Sequence, residues 1–185
     1  MTLNIPSILD ISDYGLRIEG TEGGTTAYSN TVYLKKGTYT INTTEYVKTG
    51  SGFSIRSEEY KFSAGFTVNG NMTVNVTAAK TGNGYDYYTM NGTISADTEY
   101  SVSDGYYVFT PTEDGIYTLT SDDEQYCTIY DMERNYLEGG YISDSTSSYT
   151  TTTTLTKGTS YVIYFDYSST VKITKWDADS SAEEE

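Results

Sequence analysis

Asp122-Asp123-Glu124 places three consecutive carboxylates in a turn between two runs that alternate apolar and polar residues. Calcium takes several oxygen ligands from loops of this kind. Glu99, Asp104, Glu113, Asp114 or Asp131 would complete such a shell. No EF-hand spacing accompanies the turn, so a solvated acidic turn stands beside the calcium reading and is the plainer of the two. A second chemistry belongs to aromatic rings. Tyr85, Tyr87 and Tyr88 lie in a stretch rich in Gly and Asn, and Tyr141 and Tyr149 lie near loops. Flat rings with a polar tip stack on sugars or anchor a protein partner. Ordinary packing in a sheet is the competing reading for each of them. The sequence contains no histidine. That removes Ser-His-Asp and Cys-His arrangements and leaves no convincing zinc ligand set. Among 26 acidic residues some pair always suits glycoside hydrolysis on paper, so carboxylate pairs carry no weight without geometry. Gly82-Asn83-Gly84 lacks the lysine and the helix of a phosphate loop. The expectation is a protein without enzymatic activity and without a cofactor, calcium excepted.

Charge narrows the partners. The net charge of −15 is uneven, with residues 1–95 close to neutral and residues 96–185 carrying 4 basic and 18 acidic side chains. A field of that sign repels phosphate backbones and anionic lipid, so nucleic acid is not an expected partner. No stretch approaches the 18 or so apolar residues of a membrane span, so no membrane insertion is expected either. Cys127 is the single cysteine and, in the alternating context Cys127-Thr128-Ile129-Tyr130, reads as a small buried hydrophobe. The opening residues lack the basic region and long apolar core of a signal peptide. Asn42, Asn71, Asn75 and Asn91 begin Asn-x-Thr sequons, which matter only if the source glycosylates its exports.

The elements that must position these residues are strands. Thr, Tyr, Ser and Gly dominate the composition, and no window holds a capped 3.6-residue pattern. Residues 14–20 set Leu16 and Ile18 on one face. Residues 30–46 read as two strands about a Lys-Lys-Gly turn, with Val32 and Leu34 before it and Tyr39 and Ile41 after it. Residues 52–57 pair Phe53 with Ile55. Asn69-Gly70, between Phe66/Val68 and Met72/Val74/Val76, predicts a two-residue hairpin. Residues 80–92 read as a loop-rich strand pair or an aromatic surface loop. Further along, 105–111, 116–121, 126–131, the threonine-rich 147–156, 159–167 and 170–176 all read as strands. The run 159–167 is apolar on both faces, as a central strand would be, and Trp176 reads as a core cap. The charge step predicts a domain boundary near 95–100. "LKKGTYTI" (34–41) and "LTKGTSYVI" (155–163) echo each other faintly.

Tyr107, Phe109, Gly115, Tyr117, Leu119, Ile129, Tyr130, Asp131, Leu155, Gly158, Thr159, Tyr161 and Ile163 reproduce a recognisable order of elements. Over residues 100–176 this order resembles the bacterial pre-peptidase C-terminal domain family. The resemblance implies a jelly-roll-like β-sandwich that flanks catalytic or adhesive domains of secreted and surface proteins without being catalytic itself. Some members resemble carbohydrate- or collagen-binding modules, and some hold calcium. The first half is only loosely similar to accessory β-sandwiches of bacterial surface proteins. The expected architecture is thus all-β, with two tandem antiparallel β-sandwich domains. They would cover residues 1–97 and 98–176, followed by an acidic frayed tail at 177–185. The expected role is an accessory module of an extracellular or cell-surface bacterial protein, its signal peptide lying outside this sequence. Its partners would be a glycan, a host or surface protein, or neighbouring domains of a larger chain. A structural spacer or a virion decoration module is the alternative.

Overall fold

The computed structural model describes residues 1–177, so the acidic tail expected at 177–185 lies, after Asp177, outside the described residues. The chain is all-β, with several antiparallel and mixed sheets, none of which closes on itself. Contacts divide it into two units. One comprises Met1–Gly50 and Ile55–Tyr87; the other comprises Ser51–Ser54 and the chain from Tyr88 onward.

The first unit contains β1 (Thr2–Asn4), a single helical turn α1 (Ile11–Tyr14), β2 (Leu16–Gly20), β3 (Thr25–Ala27), β4 (Gly37–Thr49), β5 (Arg56–Val68), β6 (Thr73–Asn75) and β7 (Thr77–Asp86). Five strands form an antiparallel sheet in the order β3-β2-β4-β5-β7, and β1 pairs with β6 in parallel. Alternation decides which side chains face inward. Leu16 and Ile18 of β2, Tyr39 and Ile41 of β4, and Phe62 and Phe66 of β5 join Leu3, Val74 and Val76 in one core. The Asn69-Gly70 hairpin does not form as expected. Val74 and Val76 are buried, but β6 runs beside β1 with Leu3 opposite Val74, while β7 takes the edge of β5. A period of two specifies the buried face of a strand and leaves its partner open. Likewise Val32 is buried although residues 32–36 form no strand, because its N–H donates to the Met1 carbonyl rather than into a ladder.

The second unit contains β8 (Met90–Ile94), β9 (Glu99–Val102), β10 (Gly105–Phe109), β11 (Tyr117–Ser121), β12 (Gln125–Asp131), β13 (Tyr136–Ile142), β14 (Ser148–Thr150), β15 (Tyr161–Phe165) and β16 (Ser169–Lys175). These build a five-stranded sheet, β13-β12-β15-β10-β8, and a four-stranded sheet, β14-β11-β16-β9. Only β8 runs parallel to its neighbour, β10. Both sheets feed one core: Tyr107, Phe109, Ile129, Ile163 and Phe165 from the first, Tyr117, Leu119, Val171 and Ile173 from the second. Phe109 and Tyr117 meet edge to face with ring centroids 5.3 Å apart. β15 is flanked by β10 and β12, the central position its two apolar faces suggest. β8 belongs to this sheet, and the units part between Tyr87 and Tyr88, before the charge step near 98. A step in surface charge does not report which strand pairs with which.

Three further readings need correction here. Residues 52–54 form a 3-10 turn instead of a strand, since Gly52 adopts φ +54° and the Ser54 hydroxyl bonds back to the Ser51 carbonyl. Of the threonine-rich run only Ser148–Thr150 is strand. Thr151 and Thr152 leave the ladder because their polar groups are claimed by Tyr117 and Glu138. Trp176 is 44% exposed instead of capping the core.

Four buried tyrosines share one device. Tyr39 donates its hydroxyl to the Lys35 carbonyl (3.1 Å) and Tyr117 to the Glu113 carbonyl (2.8 Å). The Tyr107 and Tyr161 hydroxyls accept from the Ser103 and Thr156 N–H groups at 2.9 and 3.0 Å. Each ring fills the core while its hydroxyl fastens the backbone four or five residues upstream, where the chain enters the strand. A phenylalanine would bury the same ring and leave the backbone group unpaired. Tyr117→Phe is expected to cost about 1 kcal/mol, measured as a lower urea midpoint at unchanged slope; an unchanged midpoint would show that the tie contributes nothing.

Candidate functional site

In the second unit the five-stranded sheet has a second face, turned away from the core. Tyr106 stands opposite Tyr164, and Tyr164 opposite Thr128. Two residues either side of Thr128 in β12 lie Tyr126 and Tyr130, paired with Tyr141 and Tyr136 of β13. Six tyrosines from four strands therefore share this face. Alternation sets Tyr106, Tyr126, Tyr130 and Tyr164 there, because Tyr107, Phe109, Cys127, Ile129, Ile163 and Phe165 occupy the inward positions, and a register shift between Ile129 and Tyr130 brings Tyr136 as well as Tyr141 to the same face.

One end of the face is a packed aromatic cluster. Phe53, 5% exposed, meets Tyr88, Tyr106 and Tyr130 with centroids 5.3, 5.2 and 5.7 Å away. Tyr106 contacts Tyr164 at 4.9 Å, and Tyr130 contacts Tyr136 at 6.4 Å. The Arg134 guanidinium lies over the Tyr88 ring, 4.6 Å from its centroid, and donates to its hydroxyl. At the other end Tyr126 and Tyr141 are exposed, with the exposed Tyr167 beside Tyr141; Tyr136, at the rim of the packed end, is exposed as well.

Carboxylates border these rings. Tyr164 donates to Asp104 at 2.6 Å, and that bond, with burial and the charges of Asp104 and Asp166, pushes its phenol up to about 12. Tyr141 is raised by its bond to Glu124, by burial, and by Glu124, Tyr167 and Asp144 nearby. Burial, then the neighbouring Tyr130 and Tyr88, raise Tyr106. The phenols are therefore neutral donors at physiological pH, set in a negative surround.

The candidate tyrosines divide among three settings. Tyr88 and Tyr141 belong to the face just described. Tyr85 and Tyr87 sit on β7 of the first unit, their centroids 5.0 Å apart, with the Lys48 ammonium 4.9 Å above Tyr87. Tyr46 of the same unit is raised by a bond to Glu59. Tyr149 is half-buried against the second core, and its ring occupies the space where a Cβ on Gly140 would be. Its hydroxyl donates to Glu138 at 2.9 Å. The ring is thus used in packing, and desolvation with the Glu138 charge pushes its phenol well up.

Asp122, Asp123 and Glu124 do not converge. Asp122 accepts from the Thr170 N–H (2.7 Å), Asp123 from the Glu124 N–H (2.7 Å), and Glu124 bonds Tyr141. Four of the five side chains that would complete a calcium shell have their own partners: Glu113 with Lys175, Asp114 with the Lys157 N–H, Asp131 with Asn135 and Asp104 with Tyr164. Among the described residues no group of three His, Cys, Asp or Glu side chains could hold a metal ion. Consecutive carboxylates in a turn splay to opposite sides, so adjacency in sequence does not make a ligand set.

The remaining perturbed groups serve structure. Burial pushes the Cys127 thiol up to about 12, which leaves it protonated and unreactive. Glu58 in the first unit is 4% exposed and bonded to Lys80 and Arg56, each at 2.7 Å; the Lys80 bond outweighs desolvation and holds its carboxyl at about 2.

Sequence reasoning did not single out Tyr106, Tyr126, Tyr130, Tyr136, Tyr164 or Tyr167 as a site. The readable signal was that β10 carries adjacent rings at Tyr106 and Tyr107, and that β12 sets Tyr126 and Tyr130 out of phase with the buried Cys127 and Ile129, which puts rings on the outer face. Comparison with family models, curated proteins and solved structures finds no match to this chain.

Proposed function

We propose that the chain is a non-catalytic accessory module that binds glycan on the tyrosine face of its second unit. The observation that carries this reading is the set of six tyrosines from four strands on one sheet face turned away from the core, three of which, Tyr126, Tyr136 and Tyr141, are exposed. A pyranose presents axial C–H groups on its faces and hydroxyls on its rim. Neutral phenol rings take the first, and carboxylates such as Glu124 and Asp104 accept hydrogen bonds from the second. A rigid sheet holds these groups in place before the ligand arrives, which lowers the entropic cost of binding. In this reading each unit is a jelly-roll-like β-sandwich, and the second is related to the pre-peptidase C-terminal family by the element order quoted above. The setting is a secreted or cell-surface bacterial protein with neighbouring domains. A non-catalytic role is supported by the absence of histidine from the sequence and by the buried, protonated Cys127 thiol.

The test is a glycan array on the intact protein and on Tyr126→Ala/Tyr141→Ala, with urea unfolding as a check on folding. The expected result is reproducible binding to one sugar class, weakened about tenfold or more in the double variant, the size of loss seen when an exposed aromatic anchor is truncated. Binding that survives the double variant moves the site elsewhere. No binding by the intact protein overturns the glycan reading and leaves a spacer or protein-contact module.

A further inference from the structure

We infer that the ligand of the tyrosine face is a polysaccharide bearing protonated amino groups. This rests on the glycan reading and names its substrate class. The argument is charge complementarity at the site. Asp104 accepts from Tyr164, Glu124 bonds Tyr141, and the charges of Asp144 and Asp166 act on Tyr141 and Tyr164 respectively. One carboxylate is thus bonded to the face at 2.6 Å, and three more act electrostatically on Tyr141 or Tyr164.

Nothing comparable offsets them. Residues 88–176 hold 13 acidic and 4 basic side chains. Arg134, the one basic group at the face, is laid over Tyr88 and donates to its hydroxyl. Lys172 and Lys175 belong to β16 of the other sheet, where Lys175 pairs with Glu113. Lys157 lies in the turn before β15, near Asp114. An anionic glycan would meet repulsion across the whole face, and a neutral one would leave the carboxylates without a counter-charge. An ammonium on each sugar would lie over an electron-rich phenol and between carboxylates, where cation–π attraction and direct charge pairing act together. The same field would raise the local concentration of a cationic polymer before contact.

The experiment compares glucosamine oligomers with their fully N-acetylated counterparts of equal length, alongside an anionic uronate oligomer and polylysine, by calorimetry at low and high salt. The free-amine oligomer is expected to bind at least about tenfold tighter than the acetylated one and to weaken as salt rises. Asp144→Asn/Asp166→Asn keeps side-chain shape and is expected to remove much of that preference while leaving affinity for the acetylated oligomer unchanged. Equal affinity for the free and acetylated oligomers, or tighter binding of the uronate, overturns the amine inference and leaves the glycan reading standing. Polylysine binding as tightly as the amino oligomer also overturns it, since charge alone would then suffice. No binding of any saccharide overturns both.

Discussion

Replacing Glu138 with alanine is expected to destabilise the second unit by about 3 kcal/mol, the scale of stripping a charged acceptor from several buried donors. Glu138 is 7% exposed and accepts four hydrogen bonds: from the Tyr149 hydroxyl (2.9 Å), the Thr152 N–H (2.7 Å), the Thr152 hydroxyl (2.9 Å) and the Thr153 N–H (3.2 Å). One carboxylate thereby organises the segment where the chain leaves β14. Its removal strands two backbone donors and a phenol in a site with little water. Glu138→Gln keeps one acceptor oxygen and is expected to cost roughly 1 kcal/mol. Trp176, the only tryptophan, follows β16 directly and is tied to this unit by its backbone N–H, which donates to the Ile116 carbonyl, so fluorescence-monitored urea unfolding reads this unit.

The pH dependence provides an independent check. Burial alone would raise the Glu138 carboxyl, but the Thr152 backbone bond, with Thr152 and Tyr149 hydroxyl bonds, outweighs burial and holds it below the ordinary glutamate value. A carboxyl depressed in the folded state stabilises fully above its unfolded pKa, and that stability is lost as pH falls through the folded value. The wild-type advantage over Glu138→Gln should therefore be constant near neutrality and shrink in acid, below the ordinary glutamate pKa. An advantage that grew in acid would mean that the donors do not favour the ionised form.

Phe53→Ala is expected to cost about 3–4 kcal/mol, the range for emptying a buried phenylalanine site. The ring is held on three sides by Tyr88, Tyr106 and Tyr130, and the Phe53 N–H donates to the Met132 carbonyl at 3.1 Å. The turn that presents it tolerates no side chain one residue earlier. A Cβ on Gly52 would lie 2.1 Å from the Met132 carbonyl oxygen, at φ +54°. Phe53→Leu should recover much of the loss, since it refills the volume without the edge-to-face ring contacts. The same urea experiment decides the matter: a change below about 1 kcal/mol for Phe53→Ala would mean the ring is not a buried anchor. The glycan binding proposed for the Tyr126–Tyr141 end should survive Phe53→Leu, because Phe53 packs on Tyr88, Tyr106 and Tyr130.

These two residues show where sequence reading reaches its limit. Glu138 sits in "YLEGGYI", a segment with no clean alternation, and its donors lie 11 to 15 residues away, in what reads as a plain threonine run. Phe53 reads as a strand residue beside Ile55, yet two glycines with positive φ, Gly50 and Gly52, turn the chain at that point. Alternation was legible where one face is apolar and the other polar, as in β2, β6, β11 and β16. The tyrosine tie-backs were not legible, because a ring at the right period looks the same whether or not its hydroxyl reaches the backbone upstream.

The sequence by itself determined that the chain is all-β, which side chains turn inward along most strands, that histidine chemistry is absent and that the second half is strongly acidic. Period, composition and charge are local or additive properties, and a linear chain displays them directly. Tertiary structure decided the rest. It sent β6 to β1, separated Tyr85 and Tyr87 from Tyr88, scattered Asp122, Asp123 and Glu124 among different partners, and gathered Tyr106, Tyr126, Tyr130, Tyr136, Tyr141 and Tyr164 from four strands onto one face. The physical reason is that strand pairing is set by the free energy of the whole core. Which tyrosines become neighbours depends on contacts between residues far apart in the chain, 58 positions for Tyr106 and Tyr164, and no local pattern encodes them.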